Sequence, residues 1–268
     1  KKIIIFMPSI EGGGVEKNLF LISNFLSSKF KKTKLITSSN NTQKISKKIH
    51  ITSFKLFNFF KNRYLKILFS CVLLFIELLK NKDVIILSFQ ANLYAILIAK
   101  FFRVKIIVRL NSSPSGWLSK NWKKRLFKKI YSLSNLIIVN SYEFQKELWT
   151  RLKLKSYCIY NPLDKNIIIK KSKNKIKNNP FKIKGALKIV NLGRLVDQKD
   201  HLTLLKSICS IQKKIKVELI IIGSGQNENK LKSFIKKNEL TKIVKILEFK
   251  DNPYPIIKLS ELFVLTSK

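Results

Sequence analysis

Acidic side chains are scarce in this sequence: 15 Asp and Glu stand against 54 Lys and Arg, a formal net charge of +39 over 268 residues. Arginine is scarce as well. Arg63, Arg103, Arg109, Arg125, Arg151 and Arg194 are the whole set, so nearly all the positive charge is lysine. Folded readers of nucleic acid draw on the planar guanidinium for bidentate contacts to phosphate and base edges. Here lysine is instead spread through helical, strand-like and loop-like stretches alike, a compositional bias rather than a binding footprint. This disfavours nucleic acid and leaves an anionic partner, such as an inner-leaflet lipid headgroup, as the better outlet for the charge. Cys71, Cys158 and Cys209 form no CxxC pair, which argues against a disulfide framework or a zinc site and fits a reducing cytoplasm. Long apolar runs are missing too. The longest, Leu65 to Leu79, carries Lys66 and Glu77 and falls short of the roughly 18 residues of a bilayer-spanning helix, so it reads as a buried or surface-lying helix. The opening KKIIIFMPSIEGGG has too short an apolar run for a signal peptide and reads as a first buried strand entering a glycine-rich loop.

What is present is enough apolar residue, 46% of the chain, to fill a substantial core. Ile3 to Phe6, Lys34 to Thr37, Asp83 to Ser88, Val104 to Leu110 and Leu136 to Asn140 are apolar runs too short for globular helices. Helical patterns at Glu16 to Leu26, Leu93 to Phe101, Trp122 to Leu133 and Glu143 to Leu152 separate them. Parallel strands buried on both faces by crossover helices produce this rhythm. Asn161-Pro162-Leu163-Asp164 interrupts it, and residues 165–186, rich in Lys and Asn with Pro180 and Gly185, read as an exposed linker. The rhythm then restarts with strands at Leu187 to Leu192, Val217 to Ile222, Ile243 to Leu247 and Leu262 to Leu265. Helices are predicted from Asp200 to Gln212, Asn227 to Lys237 and Pro255 to Leu259. The expectation is an α/β chain of two units, 1–164 and 187–268, joined by that linker.

Chemistry-bearing residues fall in loops after strands. Gly12-Gly13-Gly14 follows the first strand and precedes a helix, so its backbone can approach a ligand closely, although a tight turn needs the same glycines. Glu16 suits the first turn of that helix. In the second unit Gly193-Arg194-Leu195 follows a strand, and Lys199 stands just before a helix whose free N–H groups favour an anion. Arg194 offers a fork for phosphate oxygens and Lys199 a mobile point charge. Lysine is common here and arginine rare, so Arg194 is the stronger candidate. Gly223-Ser224-Gly225 makes a second close-approach turn on the same carboxyl edge, and is equally compatible with a purely structural turn.

The segments FMPSIEGGGVEKNLFLIS, IYNPLD, NLGRLVDQKDHLTLLKS, LIIIGSGQNENKL and LEFKDNPYPIIKLSELFVLTS occur in a telling order and spacing. Together they make the chain resemble, over essentially its whole length, the retaining glycosyltransferases of group 1, or family 4. The likeness is greatest to bacterial enzymes that assemble cell-surface polysaccharides and lipid-linked oligosaccharides. The resemblance implies a GT-B fold: two Rossmann-like domains facing a cleft, 1–164 on the acceptor side and 187–268 binding the donor nucleotide. Gly13 and Gly14 would then face donor phosphates and acceptor, Arg194 and Lys199 would hold the diphosphate and stabilise its departure, and Gly193 would let that loop approach the donor. Asn252 and Tyr254 match a segment that passes near the nucleotide base, with Pro253 fixing the turn. Asn161 and Pro162 match the end of the first domain, a positioning role. Arg109 and Asn111 stand where many relatives place an acceptor-side histidine and are candidates to orient donor or acceptor. His201 reads as structural, and no general base is assigned.

The resemblance further implies transfer of a hexose-type sugar from a nucleoside diphosphate donor to a glycan or lipid-linked acceptor. It implies no cofactor beyond that donor and no metal ligand set, and a cytoplasmic location, peripheral at the inner face of the plasma membrane. The family pattern continues beyond a segment like LSELFVLTSK to two acidic residues that Glu248 and Glu261 do not match. The second domain is therefore expected to be incomplete and the chain, as it stands, to have little or no activity, an inactive fragment of the enzyme being the alternative. The rival classes are a noncatalytic donor-binding or membrane-peripheral assembly protein, marked by donor binding without product, and a charge-driven binder, marked by salt-sensitive binding indifferent to Arg194→Ala.

Overall fold

The computed structural model describes residues 2–10, 14–39, 41–53, 62–112, 121–176 and 178–268. They form two compact units, Lys1–Leu163 and Asp164–Lys268.

In the first unit a parallel sheet of seven described strands runs β1 (Lys2–Phe6), β2 (Lys32–Ile36), β3 (Ile49–Thr52), β4 (Val84–Ser88), β5 (Lys105–Arg109), β6 (Leu136–Val139) and β7 (Tyr157–Cys158). Their spatial order is β3-β2-β1-β4-β5-β6-β7, so strand addition switches from one side of β1 to the other after β3. Helices α2 (Arg63–Lys80), α3 (Asn92–Phe101), α4 (Asn121–Tyr131) and α5 (Tyr142–Leu152) cover one face. There Leu74, Leu78, Ile96, Ala99, Phe127 and Leu148 meet Ile4, Phe6, Ile86, Ile106 and Val139. Helix α1 (Gly14–Lys29) covers part of the other face, where Leu19 packs among Ile3, Ile5, Leu35 and Phe89. Alternate residues of β1 thus feed two cores, which is why the strand reads as an unbroken apolar run. Each fully buried Ile or Leu of this kind contributes about 1.5–3 kcal/mol. Polar side chains set several helix starts: Asn62 Oδ1 accepts from Tyr64 N at 2.9 Å at α2, and Ser141 Oγ from Phe144 N at 3.2 Å at α5.

The second unit has helix α6 (Lys165–Ser172), β8 (Leu187–Leu192), α7 (His201–Ile211), β9 (Val217–Ile222), α8 (Glu228–Lys237), β10 (Val244–Leu247), α9 (Tyr254–Leu259) and β11 (Leu262–Phe263). The strands are parallel in the order β10-β9-β8-β11, and β9 is buried along its whole length. Strand ends agree with the apolar runs to within a residue or two, but β3 and β7 carry too little pattern to be read beforehand.

Residues 165–186, read from composition as an exposed linker, belong to this unit. Asp164 caps α6 by accepting from Ile167 N at 2.9 Å, and α6 packs on α9. Further on, the wholly buried Glu218 of β9 accepts hydrogen bonds from Lys182 N and Ile183 N, both at 2.8 Å, and Lys245 Nζ lies 3.3 Å away. A buried carboxylate is tolerable only when paired and hydrogen-bonded in this way. It straps the 180–183 segment to the sheet and helps bury Phe181.

Candidate functional site

Parallel strands present their carboxyl ends on one edge, and in the second unit that edge gathers the loops after β8, β9 and β10. The first two are bonded to each other. Gly193 N donates to Ile222 O at 3.1 Å, Leu195 N to Ser224 O at 3.0 Å and Asn227 N to Leu195 O at 3.0 Å, while Gly223 N reaches Leu247 O at 2.9 Å. The glycines are what allow this. A Cβ on Gly223 would lie 1.9 Å from Gly193 O, and one on Gly225 would lie 2.5 Å from Leu195 O. Of the two uses open to these glycines, the loop-to-loop packing is the one visible. It holds Gly193 and Arg194 at a fixed place on the sheet edge.

Arg194 is exposed, and among the described residues no side-chain hydrogen bond or ion pair engages it. Lys199 closes a 3-10 turn (Asp197–Lys199), and its methylenes run along Gly193: a Cβ there would meet Cγ and Cδ at 3.7 Å. Its Nζ reaches Ser267 Oγ at 3.3 Å, and its carbonyl accepts from Thr266 Oγ1 at 3.1 Å. Lys199 thus lies along Gly193, the residue just before Arg194, so both cations belong to one loop. The chemistry available is the binding of a diphosphate by a guanidinium fork and a lysine beside exposed backbone.

The third loop is placed differently. Asn252 Nδ2 donates to Lys171 O at 3.0 Å, tying the start of α9 to the end of α6, while its Oδ1 is buried without a partner. Tyr254 opens α9 after Pro253, whose carbonyl accepts from Ile256 N and Ile257 N. Asn252 thus spends its amide on the unit's own packing.

His201, at the start of α7, is 3% exposed, and neither ring nitrogen has a protein partner. Burial and the neighbouring Lys199 lower its pKa below the usual histidine value, with Asp200 opposing, so the neutral ring is favoured. It borders a small cavity of about 120 Å³ shared with Asp197, Asp200, Asn227 and Lys230. That volume has room for water that could satisfy the ring.

In the first unit Gly12 and Gly13 lie outside the described residues; Gly14 is the first residue of α1, and Glu16 is buried in its first turn. Arg109 ends β5 and is only 2% exposed. Its Nη2 donates to Ile159 O at 3.0 Å and to Asn161 Oδ1 at 2.9 Å, its Nε is unpartnered, and burial lowers its pKa. Arg109 therefore corrects the expectation that it orients donor or acceptor: a guanidinium this buried clamps the segment leading to Pro162. Asn111 likewise gives its amide to Phe89 O at 2.9 Å. The sequence reading missed the polar core beside them, where Ser88 Oγ donates to Asn92 Oδ1 at 2.7 Å and Asn92 Nδ2 to Arg109 O at 3.1 Å. The available signal was the serine closing the apolar run DVIILS. Among the described residues no group of three or more His, Cys, Asp or Glu side chains is placed to hold a metal ion.

Comparison with known proteins bears on this arrangement. Residues 12–166 match the family model Glycosyltransferase Family 4, and residues 172–268 match that for glycosyl transferases group 1. An uncharacterized glycosyltransferase of Methanocaldococcus jannaschii is 28% identical over 189 residues, covering 64% of this chain and 46% of its own length. The chain thus spans less than half of that relative. The N-acetylgalactosamine-N,N'-diacetylbacillosaminyl-diphospho-undecaprenol 4-alpha-N-acetylgalactosaminyltransferase of Campylobacter jejuni is 26% identical across 100% of this chain and 74% of its own. Among solved structures, Anabaena HepE in complex with UDP and glucose superposes with a TM-score of 0.70 at 16% identity, over 99% of this chain and 74% of that one. That likeness shows the fold, two Rossmann-like α/β units.

Proposed function

This chain belongs to glycosyltransferase family 4, and from that premise we propose that it transfers a hexose-type sugar from a nucleoside diphosphate donor to an acceptor hydroxyl. The observation that carries the reading is the β8 loop, where Arg194 follows Gly193 and the stem of Lys199 lies along that glycine, on a sheet edge held by the glycines of the β9 loop. A sugar diphosphate brings concentrated negative charge, and that charge grows on the leaving phosphate as the glycosidic bond breaks. Cations beside it favour the transition state over the ground state. The bond from the anomeric carbon to the β-phosphate oxygen breaks, the acceptor oxygen bonds to the same face, and the acceptor proton passes to the departing phosphate. The configuration is thereby retained. Arg194 and Lys199 are the residues assigned to this charge, with Gly193, Gly223 and Gly225 shaping the loop. Asn252 and Tyr254 are assigned to the base side of the donor.

Uridine diphosphate sugars are the donors to try first, because UDP is bound in HepE. A lipid-linked or polysaccharide acceptor follows from the Campylobacter relative, whose name specifies an undecaprenol diphosphate acceptor. Such an acceptor sits at a membrane, and a peripheral position on the inner leaflet is part of the proposal, supported by a net charge of +39 that is attracted to anionic lipid. Incubation with a panel of nucleotide sugars and polyprenyl-diphosphate glycans, with NMR of the new anomeric centre, tests the proposal. An axial donor should give an axial product; an inverted product, or none from any donor, would overturn it.

A further inference from the structure

Helix α2 buries Leu73, Leu74 and Leu78 against the sheet, yet its opposite side is also apolar. Tyr64, Leu68, Val72, Phe75, Ile76 and Leu79 are all exposed, Tyr64 by 82%. At 3.6 residues per turn these six span about 120° of the helix surface, and no charged residue falls within that stripe. It continues onto α3, which packs between α2 and α4: the ring of Phe101, 73% exposed, stacks on Phe75 with centroids 5.9 Å apart, and Leu97 is exposed beside it. Helix α4 adds exposed Trp122 and Leu126, interleaved with Lys123, Arg125, Lys128 and Lys129. Across the three helices the only carboxylate is Glu77, which is paired with Lys34 at 2.6 Å.

An unpartnered apolar face of this size marks an interaction surface. Its occupant is indicated by charge. A second copy would bring α4 and its basic row, against like charge. An anionic bilayer offers both an apolar layer and negative headgroups. Apolar residues flanked by lysine, with tryptophan at the boundary, is the pattern of a helix lying in that interface. None of the described helices is long and apolar enough to cross a membrane.

We propose that the outer face of α2, α3 and α4 is the membrane-docking surface of this protein and that it takes anionic phospholipid. The inference rests on the peripheral location proposed above and assigns it to named helices. It does not require that the acceptor be lipid-linked.

Flotation with phosphatidylcholine vesicles, with and without phosphatidylglycerol, tests it on three proteins. These are the unaltered chain, the variant L68E/F75E/L79E, and the control K236S/K237S on α8 of the second unit. The unaltered chain and the control are expected to float with phosphatidylglycerol vesicles and the triple variant to remain unbound. Because one basic residue at such a surface is worth about fivefold in partition, the double control should lose at most a fraction of its binding if α8 stays in water. Melting curves establish that all three fold. Failure of the unaltered chain to float, flotation of the triple variant, or equal loss in the control would each overturn the assignment. Ultracentrifugation showing a dimer that the triple variant dissolves would transfer the face to a second copy and overturn it too. UDP titration separates the two readings: it should be the same for the unaltered chain and the triple variant. Its absence in both would count against the donor site while leaving the docking surface standing.

Discussion

Replacing Gly223 by alanine should separate the two loops that carry the proposed diphosphate clamp. The new Cβ would lie 1.9 Å from Gly193 O. Carbon and oxygen tolerate about 3.3 Å, so one backbone must move by more than about 1 Å. Three hydrogen bonds cross or flank that contact: Gly193 N to Ile222 O, Leu195 N to Ser224 O and Gly223 N to Leu247 O. Losing two of them costs about 1 kcal/mol each. With backbone strain of about 1 kcal/mol at the substituted residue, the total is roughly 3 kcal/mol. For a unit of this size each kcal/mol moves the melting temperature by about 4–8 °C, so a fall of about 12–24 °C is expected. Because Arg194 follows Gly193 directly, UDP affinity should fall as well, and calorimetry at a temperature where the variant is folded would measure it. Gly14→Ala is the contrasting control, since a Cβ there meets nothing within 4 Å. Alanine should leave the melt unchanged or raise it slightly through helix propensity. A Gly223→Ala protein with the melting temperature and UDP affinity of the parent would refute the loop-packing argument.

Two further outcomes follow from buried charge. Glu218→Ala should cost about 3 kcal/mol in urea denaturation, because it removes the acceptor that the N–H groups of Lys182 and Ile183 now share and the partner of Lys245; an unchanged midpoint would return residues 165–186 to the status of a linker. His201 has a lowered pKa in the fold, so the unfolded chain takes up the proton first as pH falls below about 6.5. Stability from the neutral ring is complete above that value and is lost on acidification, by at most about 1.4 kcal/mol per pH unit. His201→Leu should flatten the melting temperature between about pH 7 and pH 5, and the same slope in both proteins would remove His201 as its source.

Much of this was legible in the sequence. Runs such as LIIIG and LKIVNL are apolar because their strands are covered on both faces, so each showed as a strand with a loop at its carboxyl end. The positions of Gly193, Arg194 and Gly223 on one sheet edge follow from that pattern. What stayed hidden depends on contacts between distant residues. The carboxylate of Glu218 holds a segment some three dozen residues away, and the Lys-rich composition of that segment gave no sign of it. Arg109 looked like a ligand contact because it stands where relatives of the family carry an acceptor-side histidine, but the fold buries it against Asn161. The apolar side of α2 could be read as core or as surface, and Leu78 and Leu79, adjacent in sequence, turn out to serve one each.

The central claim is that the β8 loop holds a nucleoside diphosphate through Arg194. UDP titration of the unaltered chain, Arg194→Ala and Lys199→Arg tests it most directly. A hydrogen bond to a charged partner is worth about 1.5–3 kcal/mol, so Arg194→Ala should weaken UDP by roughly ten- to a hundredfold. Lys199→Arg, which keeps the charge beside Gly193, should lose much less. Equal affinity in the unaltered chain and Arg194→Ala would contradict the account.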